Sequence, residues 1–213
     1  MIVTRAIRLS KRHLQYATKR LQHDGVNSLA QGIPTKSRDN IVWIDMEMTG
    51  LNVQTCHILE VACLVTDKNL TVLSDDLNII VNQPDNILYG MNEWCQSQHK
   101  RTGLIEASKN SEITISEAEQ TLLNHLEKYV PQGLCPMAGN SVYMDRLFLQ
   151  KYMPLVNDYL HYRIIDVTSI KELGRRWYPQ LQQLEKHYAH RALDDIKESI
   201  KELQFYKHFI FSN

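Results

Sequence analysis

No stretch of this chain is apolar for long enough to cross a membrane: its longest apolar runs are strand-length and broken by charge, where a spanning helix needs roughly 20 residues. Its four cysteines, Cys56, Cys63, Cys95 and Cys135, form no C-x-x-C pair, and the nine histidines have no zinc-type spacing with them. They read as free thiols, with Cys63 in VACLV a core residue. No internal repeat, low-complexity tract or second domain boundary falls within residues 40–213. Net charge is also absent, because 24 Lys and Arg residues balance 24 Asp and Glu. The 213 residues are enough for one domain with a real hydrophobic core.

The zero net charge hides an asymmetry. Residues 1–39 carry eight basic side chains (Arg5, Arg8, Lys11, Arg12, Lys19, Arg20, Lys36 and Arg38) against Asp24 and Asp39, a leader of about +6. The remainder is therefore about −6. With no acid before Asp24 and Arg spaced through Ile2, Val3, Ile7, Leu9 and Leu14, residues 1–39 fit an amphipathic mitochondrial targeting segment and linker. A secretory signal needs a longer apolar centre; a basic arm that touches RNA is the competing explanation. The expected location is the mitochondrial matrix, with the cytoplasm as a second compartment. The acidic body argues against a long nucleic acid, whose binding usually relies on many Lys and Arg contacts to phosphates.

After Gly32, Pro34 and the polar SRDN, strand patterns occupy 41–48, 58–67 and 70–81, an antiparallel meander. Helical patterns follow near 87–100 and 116–130, the second opened by a Ser116/Glu119 capping box. Strands at 134–139 and 161–167 then alternate with helices at 142–153 and 168–177, favouring right-handed crossovers and parallel pairing. A last helix shows an apolar stripe at Ile196, Ile200 and Leu203. The expected fold is α/β, a mixed sheet flanked by helices, over residues 40–213.

Four carboxylates and a histidine carry the chemistry: Asp45 and Glu47 in IVWIDMEM, Asp145 in GNSVYMDR, and His190 and Asp195 in HRALDDI. On a strand, Asp45 and Glu47 point the same way from the end of the apolar run Ile41–Ile44. Such a run reads as a central strand, so charges at its tip face a cleft rather than open solvent. Further acids beside them raise pKa values and destabilise the site unless a divalent cation neutralises it. A carboxylate set with open positions selects the hard cations magnesium and manganese. Two such ions about 3.5–4 Å apart can activate water and stabilise both the phosphoryl oxygens and the leaving oxygen in phosphodiester hydrolysis.

The segments WIDMEMTGL (43–51), AGNSVYMDRLFL (138–149), HYRIIDVTSIKELGRRWYP (161–179) and HRALDDIKESIKEL (190–203) together resemble the oligoribonucleases. These are the histidine-containing branch of the exonucleases named for four acidic residues. The resemblance covers about residues 40–210 and rests on the order and spacing of the acids. It implies a ribonuclease-H-like fold with a five-stranded sheet and 3′-to-5′ hydrolysis of very short single-stranded RNA to mononucleotides. It implies two bound Mg²⁺ or Mn²⁺ ions on Asp45, Glu47, Asp195 and Asp145, with Asp145 acting directly or through water. His190 is the implied general base, its imidazole able to accept a proton near neutral pH. The His-x-x-x-x-Asp spacing selects Asp195 over its neighbour Asp194.

The resemblance further implies that Leu51 and Trp94 wedge or stack on the terminal bases, and that His99 and Ser141 lie near the scissile phosphate. Arg163, Thr168 and Ser169 would cap a 5′ phosphate, which closes the cleft to longer chains. Tyr162 would reach the partner's site in a homodimer. From the residues alone, Trp94 also fits a core position, and Tyr162 fits a tyrosine capping a sheet edge. The chain departs from the family pattern at Tyr143-Met144 before Asp145, at Arg146-Leu147 after it, and at Asp166-Val167-Thr168-Ser169, where both hydroxyls are kept. A broader exonuclease on longer RNA or DNA, or a silent RNA-binding scaffold, are the competing readings.

Overall fold

The computed structural model describes residues 36–181 and 190–211, so the leader, but for residues 36–39, lies outside the described residues. Strand β1 (Ile41–Met48) runs antiparallel to β2 (Ile58–Thr66), and β2 antiparallel to β3 (Leu77–Ile80). Strands β4 (Met137–Gly139) and β5 (Ile164–Asp166) add in parallel on the other side of β1, giving the order β3-β2-β1-β4-β5. This five-stranded mixed sheet flanked by helices is the expected ribonuclease-H-like arrangement.

Both faces of the sheet are covered because β1 alternates between two cores. Val42, Ile44 and Met46 pack with Ala118, Leu122 and Leu126 of α4 (Ile115–Tyr129) and with Phe148 and Leu149 of α5 (Tyr143–Tyr152). Trp43, one residue out of phase, packs with Ala62 and Leu64 against Val167 of α7 (Val167–Trp177) and the stripe Ala192, Ile196, Ile200 and Leu203 of α8 (Ala192–Phe209). Inside that core the Trp43 indole N–H donates to Thr66 Oγ1 at 3.0 Å, satisfying a buried polar group. Asp45 and Glu47 continue the Trp43 face, and so point at the first turn of α8.

Several elements are shorter or more numerous than the sequence pattern predicts. The third strand is only Leu77–Ile80, with one isolated bridge between Thr66 and Val72. Asp67 Oδ1 takes the amides of Asn69 and Thr71, and Ser74 Oγ takes that of Val65, so local side-chain acceptors replace ladder partners. The helix expected near 87–100 is two, α1 (Asp85–Leu88) and α2 (Glu93–Arg101), divided where Asn92 caps the second through the Cys95 amide. Helix α3 (Leu104–Asn110) follows Gly103, whose φ of +73° suits glycine. Pro154 cannot continue α5 and instead opens α6 (Pro154–Tyr159). None of the described helices is long and apolar enough to span a membrane.

The capping box of α4 is Thr114 with Glu117, two residues ahead of the Ser116/Glu119 pair that the sequence pattern favours. Glu119 is buried, and its Oε1 accepts the Leu155 amide at 2.7 Å, capping α6 from a neighbouring helix. Thr114→Ala should therefore lower stability by about 1 kcal/mol. Ser116→Ala should stay within about 0.5 kcal/mol of the parent in urea unfolding. Equal losses at the two positions would contradict the cap assignment.

Candidate active site

The site forms where β1 outruns its short neighbour. β4 pairs with β1 only at Val42 and Trp43, so farther along that edge β1 has unpaired backbone groups. The Met46 amide there donates to Asp145 Oδ1 at 2.9 Å. Asp145 sits in the first turn of α5, with Phe148 and Leu149 of the same helix anchored in the core. A buried carboxylate thus arrives beside β1 from the helical layer on the opposite face from α8.

On the other face, one oxygen each from Asp45, Glu47 and Asp195 lie within 4.8 Å of one another. Asp195 comes from the first turn of α8, and its neighbour Asp194 is exposed, so the helix turns the second of the two acids inward. Burial pushes the Asp45 carboxyl well above the usual range, reinforced by the charges of Asp145, Asp195, Glu47 and Glu60. Glu47 is pushed up to about 8 by burial and then by Asp195, Glu60 and Asp145, with Arg191 opposing. Asp145 is likewise raised to about 8 by burial, against the lowering effect of its own amide and that of Met46.

His99 in α2 is buried beside these acids. Burial holds its pKa below the ordinary value, and Nε2 lies 2.9 Å from the Met48 carbonyl, so the neutral ring donates there. That leaves Nδ1 as an acceptor, 3.8 Å from Glu47 Oε2 and without a hydrogen-bond partner among the described atoms. A carboxylate-only donor set, with Asp45 and Glu47 raised in pKa by burial and then by crowding, and next to an orphaned acceptor, fits a divalent cation with its water or substrate oxygens. These residues would hold it.

His190 lies immediately ahead of α8, with φ of +52°, and Trp94 meets its ring edge-on at 6.0 Å. Trp94 is 62% exposed, which removes the core explanation for it. Leu51, 68% exposed, follows β1 on a loop held by Lys151 Nζ through the Val53 and Gln54 carbonyls. Ser141 has φ of +52°, and its amide donates to Asp166 Oδ1 and Thr168 Oγ1. Thr168 Oγ1 in turn donates to Asn140 Oδ1, so its hydroxyl proton is directed inward. Arg163 and Ser169 are exposed, and Arg163 lies over the Tyr162 ring, 5.3 Å from its centroid. Tyr162 is 74% exposed, stacks on His161 and lies ahead of β5 rather than within it. The half-buried, raised acids Asp45 and Glu47 have a sequence signal in Asp-x-Glu; Glu60, buried opposite Glu47, has a weaker one as a lone acid in ILEVACLV.

A cavity of about 530 Å³ lies elsewhere, lined by Tyr89, by Glu93, Gln96 and Lys100 of α2 and by Glu106 of α3, and it contains none of the site acids.

The Exonuclease family model matches residues 42–203. The mitochondrial oligoribonuclease of Homo sapiens is 49% identical over 190 residues, covering 88% of this chain and 79% of that protein. A probable oligoribonuclease of Drosophila melanogaster is 50% identical over 174 residues, with 81% and 82% covered. The oligoribonuclease of Francisella tularensis is 46% identical over 177 residues, with 83% and 99% covered. Among solved structures, Escherichia coli exonuclease I in complex with a dT13 oligonucleotide superposes with a TM-score of 0.65 at 14% identity, over 83% of this chain and 42% of that one. This chain thus spans about two fifths of exonuclease I, and the likeness is one of fold.

The raised carboxyls give a signed pH dependence. A carboxyl whose folded-state pKa lies above its unfolded value adds stability at low pH and loses it as pH rises through the folded value, about 8 for Glu47 and Asp145. The metal-free protein should therefore lose thermal stability between about pH 4, the ordinary carboxyl range, and about pH 8, and a divalent cation should restore it by neutralising the anions. Scanning calorimetry in chelator and in Mn²⁺ reads both effects. A midpoint that rises with pH in chelator would show that the carboxylates are not crowded.

Proposed function

This chain belongs to the exonuclease family and, within it, to the oligoribonucleases, and from that premise we propose how its residues degrade short RNA. It is a divalent-metal-dependent 3′-to-5′ exoribonuclease acting on short RNA. The observation that carries the reading is the convergence of Asp45, Glu47 and Asp195 at the open end of β1, with Asp145 hydrogen-bonded beside them.

In the proposed mechanism Asp45, Glu47 and Asp195 would hold two Mg²⁺ or Mn²⁺ ions, and Asp145 would support the set directly or through water. Bound there, the cations supply charge stabilisation for the phosphoryl oxygens and the leaving 3′ oxygen. His190 accepts the proton of the attacking water as the bond from phosphorus to the 3′ oxygen breaks, and the 3′ oxygen takes a proton from solvent, giving a nucleoside 5′-monophosphate and the shortened RNA with a free 3′ hydroxyl. The buried His99 acceptor faces the same space, and Ser141 stands near the scissile phosphate.

Leu51 and Trp94 take the terminal bases, and their exposure beside the acids supports this. Stacking of this kind contributes roughly 1–3 kcal/mol per base without reading sequence. Arg163, Thr168 and Ser169 cap the 5′ phosphate of a substrate as short as a dinucleotide. Because the Thr168 proton is engaged by Asn140, Arg163 and Ser169 supply the donors. Tyr162 acts in trans in a homodimer, a role supported by a large aromatic ring left in solvent. Residues 1–39 direct the protein to mitochondria, as the names of the human, bovine and mouse relatives support, with a cytoplasmic pool as the second location.

The test is turnover on a labelled RNA length series with Mg²⁺ or Mn²⁺. Dinucleotides should be consumed fastest, and oligomers of about twenty nucleotides slowly, because the acidic body offers few phosphate contacts. His190→Ala should lower kcat by roughly 10²–10⁴ while metal and RNA still bind, and Asp45→Asn should abolish turnover. Equal rates on short and long RNA would favour the broader exonuclease, and retained turnover in His190→Ala would remove His190 from the mechanism.

A further inference from the structure

We infer that Glu60 and Arg191 are positioning residues that hold His190 and Asp195 against the acids of β1. This rests on the exonuclease reading of the site. Glu60 lies in β2, every residue of which is buried, and it stands opposite Glu47 in the ladder. A carboxylate there is tolerated only with its oxygens fully paired. Four donor groups converge on it. Arg191 Nε lies 3.1 Å from each oxygen, Arg191 Nη2 2.6 Å from Oε1, Asn78 Nδ2 2.9 Å from Oε1, and the Ala192 amide 3.2 Å from Oε2. With its lone pairs engaged in this way, Glu60 is a structural acceptor and not a further cation ligand, despite its place beside Glu47.

The consequences fall on the next residues. Arg191 occupies the N-cap position of α8 but its side chain gives no cap, so Glu60 caps the helix from the sheet through Ala192. The Arg191 carbonyl accepts the Asp195 amide at 3.0 Å, which links the fork to the turn that aims Asp195. His190 is bonded directly to Arg191 and has a left-handed backbone, a conformation that a non-glycine residue keeps only where its surroundings impose it. One bidentate fork therefore sets the point at which the chain re-enters the site, the direction of the imidazole and the start of α8. Asp45 and Glu47 are fixed independently by the β1–β2 ladder.

The Arg191 side chain is 34% exposed, so it can be changed without opening the core. Arg191→Ala and Arg191→Lys in the full chain, checked for native circular dichroism, are compared with wild type on a dinucleotide at saturating Mn²⁺ and by Mn²⁺ titration followed by electron paramagnetic resonance. Arg191→Ala should lower kcat about 100-fold with KM within about threefold, the signature of misplaced reacting groups. Arg191→Lys should recover little, because an ammonium cannot fork onto the carboxylate. Free guanidinium should partly restore kcat in Arg191→Ala and not in Arg191→Lys, a rescue that a general loss of stability would not show. Mn²⁺ affinity should fall about tenfold as Asp195 moves. A kcat within about threefold of wild type in a folded variant, or a loss confined to KM, overturns the inference. If Arg191→Ala fails to fold, Arg191→Lys decides by the same criteria. Absence of turnover in the wild type would instead overturn the exonuclease reading, and the Mn²⁺ comparison would still decide whether Arg191 positions Asp195.

Discussion

Crowded anions at the end of a central strand are the constraint around which the rest of this molecule is arranged. At an effective dielectric of about 20, two unit charges about 5 Å apart repel by about 3 kcal/mol. Three carboxylates with oxygens inside 4.8 Å of one another, and Asp145 beside them, bring several such pairs together. Their sum is on the order of the whole stability of a domain, about 5–15 kcal/mol. The fold cannot hold all of them as free anions. Protons or divalent cations must share the site, and Asp45, Glu47 and Asp145 are displaced upward first by burial, with the neighbouring anions adding to it at Asp45 and Glu47.

The scaffold tolerates this because apolar packing fixes β1 on both faces before any charge is considered. Trp43 and Ile44, both fully buried, belong to different cores, so β1 can neither rotate nor slip by one residue without exchanging them. That register sends Asp45 and Glu47 to one face. The shortness of β4 then leaves the Met46 amide open to receive Asp145. The N-terminal turn of α8 contributes its own partial positive charge at Asp195, the end of a helix where a carboxylate is most stable. The neutral His99, held by Met48 on one nitrogen, closes the floor without adding a competing cation.

How much of this was legible in the sequence depended on whether the signal was local. The alternation of Asp45 and Glu47 on an apolar strand is a period-two pattern, and the stripe through Ile196 and Leu203 is a helical one, and both appear as read. Glu60 was not legible as a partner of Arg191, since 131 residues separate them and only the strand register makes them neighbours. The sequence pattern overextends the third strand because Thr71, Val72 and Leu73 look like strand residues, whereas Asp67 and Ser74 compete for the backbone amides. The same pattern misplaces the cap of α4 for a related reason. Ser116 and Glu119 satisfy the same four-residue pattern as Thr114 and Glu117, and the choice between them is made by Leu155, which takes Glu119 for α6.

The charge distribution then bears on substrate length. Long nucleic acids are held mainly through phosphates, at a rate of about one released counterion per contact, and this needs a surplus of Lys and Arg. From residue 40 onward the chain has the opposite balance, about −6. On the proposed assignment, affinity comes instead from apolar and aromatic surfaces, Leu51 and Trp94 on the subunit itself and Tyr162 from a second copy, each exposed in the single chain. Such contacts contribute per base and are exhausted once those surfaces are covered. A third or fourth nucleotide would add negative charge against an acidic body and gain no further stacking. On that proposed assignment electrostatics and stacking act in the same direction, and the sign of the surface would limit substrate length as much as a cap on the 5′ phosphate would.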